Sequence, residues 1–225
     1  MSKNKKEISY TLLKASIASI PIIGGAASEI LPLILKNPIE KRKEFWMQEV
    51  GEKLKSLEKS NSIKLTELSK KEIFIDTVIR ISTEALKTSE QEKLKYFKNA
   101  LINTAILENL DISEVNIFTR FISEFTIWHI QILNLFDNPT NWFIKNEIDF
   151  PKFSSAPLSK ILINAFSELK ERKEFCDLIW SDLYRSGLIN TADLNVGITS
   201  NGLKSSRTTL FGKKFLSFIH EDESQ

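Results

Sequence analysis

The sequence predicts a mainly α-helical protein, and three observations lead to that fold class. Only 7 glycines and 6 prolines occur in 225 residues, too few for the many tight turns of a β-rich chain. Apolar residues recur at spacings of three and four along most of the chain, as they do on one face of a helix. Its 42% hydrophobic and 27% charged residues are typical of a chain that folds around a core.

Neither the charge nor the cysteine content indicates a specialised chemistry. The chain carries 31 basic and 29 acidic residues, and the net charge of +2 is too small to indicate binding to nucleic acid. Cys176 is the sole cysteine, which excludes an internal disulfide and a cysteine-cluster metal site and suits the cytoplasm. Lys14 and Pro21 interrupt the apolar start, unlike a secretory signal, so we expect a cytoplasmic protein.

Residues 8–35 form the most apolar segment, and Pro21 with Gly24-Gly25 divides it into two short helices, an apolar hairpin. The hairpin is either the centre of an N-terminal helical bundle, a membrane-interface segment or a constitutive anchor. In the last two cases its apolar side chains contact lipid: Ile17, Ile20, Ile22, Ile23, Ile30, Leu31, Leu33, Ile34 and Leu35. Lys3, Lys5 and Lys6 would add about 1 kcal/mol each toward an anionic surface. The alternative localisation is therefore peripheral to the inner face of the cell membrane.

Three capping patterns predict the helices that complete an N-terminal module over residues 1–112. Asn37-Pro38-Ile39-Glu40 has the pattern of a helix start, and Ser69 to Glu72 and Ser89 to Glu92 have that of capping boxes. The inward positions in these helices follow from their spacing: Ile39, Trp46, Val50, Leu54, Leu57; Phe74, Val78, Ile81, Ala85; Leu94, Phe97, Leu101, Ile102.

A second amphipathic helical region begins at Ser113 and ends at Asn138-Pro139. Its inward positions alternate in spacing between four and three: Phe118, Ile122, Phe125, His129, Ile132 and Phe136. Residues 146–157 contain two prolines and a serine pair and predict a loop. Residues 220–225 predict a frayed acidic tail.

The stretch FTIWHIQILNLFDNP (125–139) resembles the first helix of a winged-helix domain of the MarR or ArsR type. Residues 157–169 and 175–189 are similar to the second and third helices, and the third carries a Leu-x-x-x-Gly-Leu-Ile pattern in which Gly187 ends the helix in a left-handed turn. The resemblance implies a wing, a small β-hairpin, over 190–209 and a closing helix over 208–219. It defines a winged-helix-like module over residues 113–219. The whole chain also resembles bacterial proteins of unassigned function, which implies no activity.

Winged helices often read DNA with the third helix, but the residues here disfavour that role. Glu174, Asp177 and Asp182 lie on this helix, and carboxylates repel phosphate. Basic residues at the end of the third helix, in the wing and beyond it are the candidates for contact with nucleic acid or a partner: Arg185, Lys204, Arg207, Lys213 and Lys214. We expect a protein partner or self-association rather than DNA.

We find no pattern that predicts catalysis, a metal or a cofactor. His129 is predicted to be a core histidine bonded to a carbonyl, and Cys176 a buried thiol beside Leu178. The leading prediction is a non-enzymatic bacterial interaction protein. The alternatives are a membrane-perturbing effector of a toxin or abortive-infection (phage-defence) system, based on residues 8–35, and a DNA-binding regulator.

Overall fold

In a computed structural model the backbone is described over residues 30–107 and 111–221, and the side chains from Pro38 onward. The described residues form eleven α-helices, one 3₁₀ turn and two strands: α1 Ile30–Lys59, α2 Leu65–Leu68, α3 Glu72–Ala85, α4 Gln91–Ile106, α5 Ile112–Glu124, α6 Ile127–Asp137, α7 Pro139–Lys145, β1 Ser155–Pro157, α8 Leu158–Ala165, the 3₁₀ turn Ser167–Leu169, α9 Lys173–Arg185, β2 Gly197–Thr199, α10 Ser200–Lys204 and α11 Leu210–Ile219. The predicted mainly α-helical fold with a small antiparallel sheet is confirmed.

The chain divides into two compact units. Among the described residues, the first comprises 30–107, 111–124 and 218–221, and the second comprises residues 125–217. The sequence places this boundary after residue 112. The difference is α5, which packs against α3 and α4 of the first unit.

In the first unit α1 supplies a buried face, as its spacing predicts. Trp46, Val50, Leu54 and Leu57 are buried, whereas Ile39 is 37% exposed. The predicted helix start at Asn37 is wrong, because α1 begins at Ile30 and continues through Pro38. Pro38 has no N–H, so this continuation gives up one hydrogen bond of the helix.

The two predicted capping boxes of the first unit are also wrong. The Oγ of Ser69 donates to the carbonyl of Thr66 at 3.0 Å and so closes α2 rather than opening α3. Lys71 and Glu90 occupy the cap positions of α3 and α4, and neither makes a side-chain capping bond. The predicted inward positions of α3 are nevertheless buried: Phe74, Val78, Ile81 and Ala85.

The C-terminal residues 218–221 are held in the first unit by two asparagines of α4. The Asn99 side-chain amide donates to the carbonyl of Ile219 at 3.0 Å. The Asn103 amide donates to the carbonyls of Phe218 and His220, at 2.9 Å each. Glu221 is paired with Lys53, with Oε1 and Nζ 2.6 Å apart. The first two residues of the predicted acidic tail therefore make specific contacts, and residues 222–225 lie outside the described part of the chain.

The second unit is built around α6, α8 and α9. The predicted inward positions, which are spaced alternately by four and three residues, are all buried, and they occur in both units: Phe118, Ile122, Phe125, His129, Ile132 and Phe136. It belongs to two helices rather than one, since α5 ends at Glu124 and α6 begins at Ile127. Asn138 then caps α7, because its Oδ1 accepts the amide of Asn141 at 3.1 Å.

The small sheet pairs two segments that are distant in sequence. β1 is antiparallel to β2, with Ala156 opposite Ile198. β1 lies in the predicted loop 146–157, so the sheet differs from a hairpin formed within 190–209. Within that predicted wing the structure has a short helix, α10. Thr199 caps this helix by accepting the Gly202 amide at 3.4 Å.

Two glycines shape the connection between α9 and α11. Gly187 has φ +71°, the predicted left-handed turn at the end of the third helix, which is confirmed. The hydroxyl of Thr209 donates to the Gly187 carbonyl at 2.7 Å and holds the start of α11 beside this turn. Gly212 lies so close to the Leu188 carbonyl oxygen that an added Cβ would collide with it.

Candidate protein-interaction surface

Helix α9 is anchored by one side and presents the other to solvent. The anchored side consists of Cys176, Ile179, Trp180 and Leu183, all buried. The indole N–H of Trp180 also donates to the carbonyl of Thr191 at 2.9 Å. Apolar burial and this hydrogen bond together fix the rotation of the helix about its axis, and therefore fix which residues face outward.

The outward side, here called the α9 face, comprises Glu174, Asp177, Leu178, Ser181, Tyr184 and Arg185. Leu178 is 54% exposed and Tyr184 is 44% exposed, although both are large enough to gain from burial. Aromatic and apolar side chains that are ringed by polar groups on a surface are typical of protein contacts.

Acidic groups dominate the N-terminal half of the α9 face. Glu174 has no hydrogen-bonding or ionic partner among the residues that the structure describes. The Oδ1 of Asp177 accepts the side-chain amide of Asn195 at 2.9 Å. At the other end, Arg185 is exposed, and one of its guanidinium nitrogens lies 3.3 Å from an oxygen of Asp182. The face is thus acidic at one end, apolar in the middle and basic at the other end.

His129 is buried beneath this helix, as predicted, but its partners differ from the predicted carbonyl. Its Nδ1 accepts the backbone amide of Thr126 at 3.1 Å and lies 2.9 Å from the hydroxyl of the same residue. Its ring stacks on Phe125 with centroids 4.6 Å apart. Because Nδ1 accepts an N–H, the neutral ring carries its proton on Nε2, which lies 3.5 Å from Asp182 Oδ2.

The order hydroxyl, imidazole and carboxylate also occurs in nucleophilic enzymes. Here the Nδ1 lone pair is already occupied by the backbone amide of Thr126, the residue that caps α6, so Thr126 and His129 form a capping box. Cys176 is equally structural. Its Sγ lies 3.9 Å from the Leu169 carbonyl, and burial raises the pKa of the thiol, which disfavours the reactive thiolate. In the described ranges no group of three or more metal-binding side chains occurs.

The basic residues predicted as contacts divide between two segments. Arg207 is half-buried, its guanidinium donates to the Gly202 carbonyl, and loss of hydration lowers its pKa. Its backbone amide donates to Phe136 at 2.8 Å, so Arg207 stabilises the fold rather than offering a free cation. Lys204 is exposed at the end of α10, with Nζ 5.7 Å from the centroid of Phe150.

The other predicted basic residues lie near the junction of α9 and α11. Lys213 and Lys214 are exposed on the first turns of α11, and Arg185 is exposed on the last turn of α9. Thr209 bonds the two helices together at Gly187.

Leu178 and Tyr184 are the residues that the sequence did not identify. The sequence predicts a buried thiol at Cys176 beside Leu178; Cys176 is buried, but Leu178 is exposed. Four residues separate Leu178 from Glu174 and three from Ser181, so all three share one side of the helix. The spacing of Leu178 from these polar residues was the sequence signal that could have placed it on the exposed side of the helix.

The predicted membrane segment lies largely outside the described residues, which include none of Ile17, Ile20, Ile22 or Ile23. Residues 30–35 are described only as backbone of α1. Where the structure is described, no helix combines the length and the apolar character needed to cross a bilayer.

Comparison with known proteins identifies no relative: no family model, curated protein or solved structure matches the chain.

Proposed function

We propose that this chain is a non-enzymatic interaction protein of the bacterial cytoplasm that binds another protein through the α9 face. The observation that carries the proposal is the exposure of Leu178 and Tyr184 on a helix whose opposite side is firmly anchored. A rigid helix loses little conformational entropy on binding. More of the free energy gained by burying its exposed side chains therefore appears as affinity.

The charge of the same face supports a protein partner over DNA. Glu174 and Asp177 lie in the first turns of α9, the part of a recognition helix that contacts base edges. Carboxylates there would be repelled by phosphate, and Arg207 is already engaged with Gly202. A protein partner can instead offer basic or hydroxyl groups to the carboxylates and an apolar surface to Leu178.

The order of elements supports a winged-helix-like arrangement as part of this proposal. After α6 come α7, β1, α8, the 3₁₀ turn, α9 and β2, so the two strands enclose a pair of helices in sequence. In such an arrangement α9 corresponds to the third helix. The proposal is that this helix has kept its exposed position while its surface suits protein instead of DNA.

The test is photo-cross-linking of the full chain in the cells that express it. A benzophenone side chain replaces Leu178, and in a control chain it replaces Asn141, which is exposed on α7. We expect position 178 to give an adduct of discrete mass that protease removes and nuclease does not, and we expect position 141 to give none. Equal labelling at both positions, or no adduct at 178, would contradict the proposal.

A titration of duplex DNA addresses the alternative regulator directly. We expect no binding at low salt, where phosphate contacts are strongest. Saturable binding that is lost on charge reversal of Lys213 and Lys214 would replace the proposed function with DNA recognition.

A further inference from the structure

We infer that the partner of the α9 face is a second copy of this chain, with the two α9 helices antiparallel about a twofold axis. The inference rests on the proposed function and names the partner that the same face binds. It follows from the arrangement of charge along the helix, which is complementary to itself when reversed.

The central line of the face runs along Glu174, Leu178, Ser181 and Arg185. At 3.6 residues per turn these four positions lie within about 60° of one another around the helix axis. The midpoint of the line falls between Ile179 and Trp180. Glu174 and Arg185 are equally distant from that midpoint, and so are Leu178 and Ser181.

A twofold axis through this midpoint therefore pairs opposite charges twice. Glu174 of one copy lies opposite Arg185 of the other, and the same contact repeats at the other end of the pair. At the centre, each Leu178 lies opposite Ser181 of the partner copy, so the two leucines pack side by side. Glu174, which has no partner within the described chain, gains one, and Arg185 exchanges or shares Asp182.

In this arrangement Asp177 of one copy does not face Asp182 of the other, and each aspartate is offset from its own counterpart by about 7.5 Å along the helix axis. Asp177 and Asp182 lie on opposite flanks of the central line, about 140° apart around the helix. The twofold axis places the flank that carries Asp177 in one copy beside the same flank of the other copy. Tyr184 shares its flank with Asp177, so the phenol of one copy approaches the Asp177 carboxylate of the other and can donate a hydrogen bond to it.

The size of the contact sets the expected affinity. The helix has 13 residues and is therefore about 20 Å long, which makes the contact smaller than a standard stable interface. We expect a reversible dimer with a dissociation constant on the order of 10–100 µM. Salt should weaken it, because both ion pairs are at its rim.

Sedimentation equilibrium of five samples of the full chain tests the inference. The wild type should dimerise, and Glu174→Arg or Arg185→Glu alone should raise the dissociation constant roughly tenfold, because each places like charges in register. Mixing the two single variants should restore dimers at near wild-type affinity, since every contact is then between opposite charges. The double variant Glu174→Arg/Arg185→Glu should also dimerise. Circular dichroism of each variant establishes that it is folded.

Four results would overturn the inference. A wild type that stays monomeric at millimolar concentration excludes this self-association. A dimer that both single variants leave intact uses another surface. Single variants that dissociate but do not rescue each other on mixing exclude the antiparallel register. A monomer whose position 178 still cross-links to a protein of another mass overturns the inference and leaves the proposed function standing; an adduct of twice 25.8 kDa supports both.

Discussion

At the scale of single residues, the indole of Trp46 shows how a polar group is accommodated in the core of the first unit. Its Nε1–H donates to Ser82 Oγ at 2.9 Å, and both side chains are buried. A buried donor without an acceptor costs about 1–3 kcal/mol. We therefore expect Ser82→Ala to lower the free energy of unfolding by that amount, measured by urea denaturation with tryptophan fluorescence.

Ser123→Ala is the matched control for that substitution. The Ser123 hydroxyl is half-buried and donates to the Thr119 carbonyl of its own helix at 3.1 Å, so no donor is stranded when it is removed. The control should change the free energy of unfolding by less than about 0.5 kcal/mol. Equal effects of the two substitutions would show that the Trp46–Ser82 bond is not what stabilises this site.

Tyr96 gives the protein a specific sensitivity to alkali. Burial, and secondarily the charge of Glu92, raises the pKa of Tyr96 to about 12. The unfolded phenol ionises near 10, so the folded state resists ionisation over the interval between the two values. The contribution to stability is fully present below about pH 10 and is lost as the pH rises toward 12, by up to about 2 kcal/mol.

Tyr96→Phe should remove this part of the alkaline profile, because phenylalanine has no group to ionise. The measurement is the free energy of unfolding as a function of pH above about 9, for the wild type and the variant. Tyr184→Phe, at an exposed tyrosine, should keep the wild-type profile. Identical curves for the wild type and Tyr96→Phe would contradict the assignment.

At the scale of elements, α11 approaches the segment after α9 so closely that the effect of replacing Gly212 can be predicted. Alanine in a helix is usually more stable than glycine by about 0.5–1 kcal/mol. Gly212 is helical, yet a Cβ there would collide with the Leu188 carbonyl. We expect Gly212→Ala to destabilise the second unit by more than about 2 kcal/mol, measured by thermal or urea unfolding.

Gly187→Ala measures the cost of backbone strain without a steric collision, and so serves as the comparison for Gly212→Ala. No atom lies within 4 Å of an added Cβ at Gly187, so only its positive φ opposes the substitution. The cost should be about 1 kcal/mol. A stabilising Gly212→Ala, or a Gly187→Ala that costs more than Gly212→Ala, would contradict this geometry.

Periodicity predicted the buried faces well because burial is repeated in every turn. The stripe from Phe118 to Phe136 and the α1 positions from Trp46 to Leu57 are buried as expected. Helix starts were predicted poorly. A capping motif is four residues long, and its serine can equally close the preceding helix, as Ser69 does through Thr66.

Strand pairing and the interaction surface depend on contacts that no local pattern contains. Ala156 pairs with Ile198, and no repeat or turn motif joins those two positions. Leu178 is apolar, so its residue type predicted burial. Only the anchoring of Ile179 and Trp180 on the other side of α9 decides that Leu178 faces outward.

At the scale of the whole molecule, each unit has its own core, and the α9 face belongs to the second. Residues 218–221 close the first unit through Asn99 and Asn103, so that unit contains described segments that precede and follow the second unit in sequence. We expect substitutions on the α9 face, such as Leu178→Asp, to leave the stability of the first unit unchanged and to affect binding alone.

The most direct test of the account compares the yields of photo-cross-linking at four exposed apolar positions. Leu210 is 83% exposed and Ile144 is 69% exposed, more than Leu178 or Tyr184, but neither lies on the α9 face. If exposure alone decides contact, Leu210 and Ile144 should give the most adduct. We expect positions 178 and 184 to give discrete adducts and positions 144 and 210 to give little. Yields that follow exposure, with 178 and 184 lowest, would contradict it.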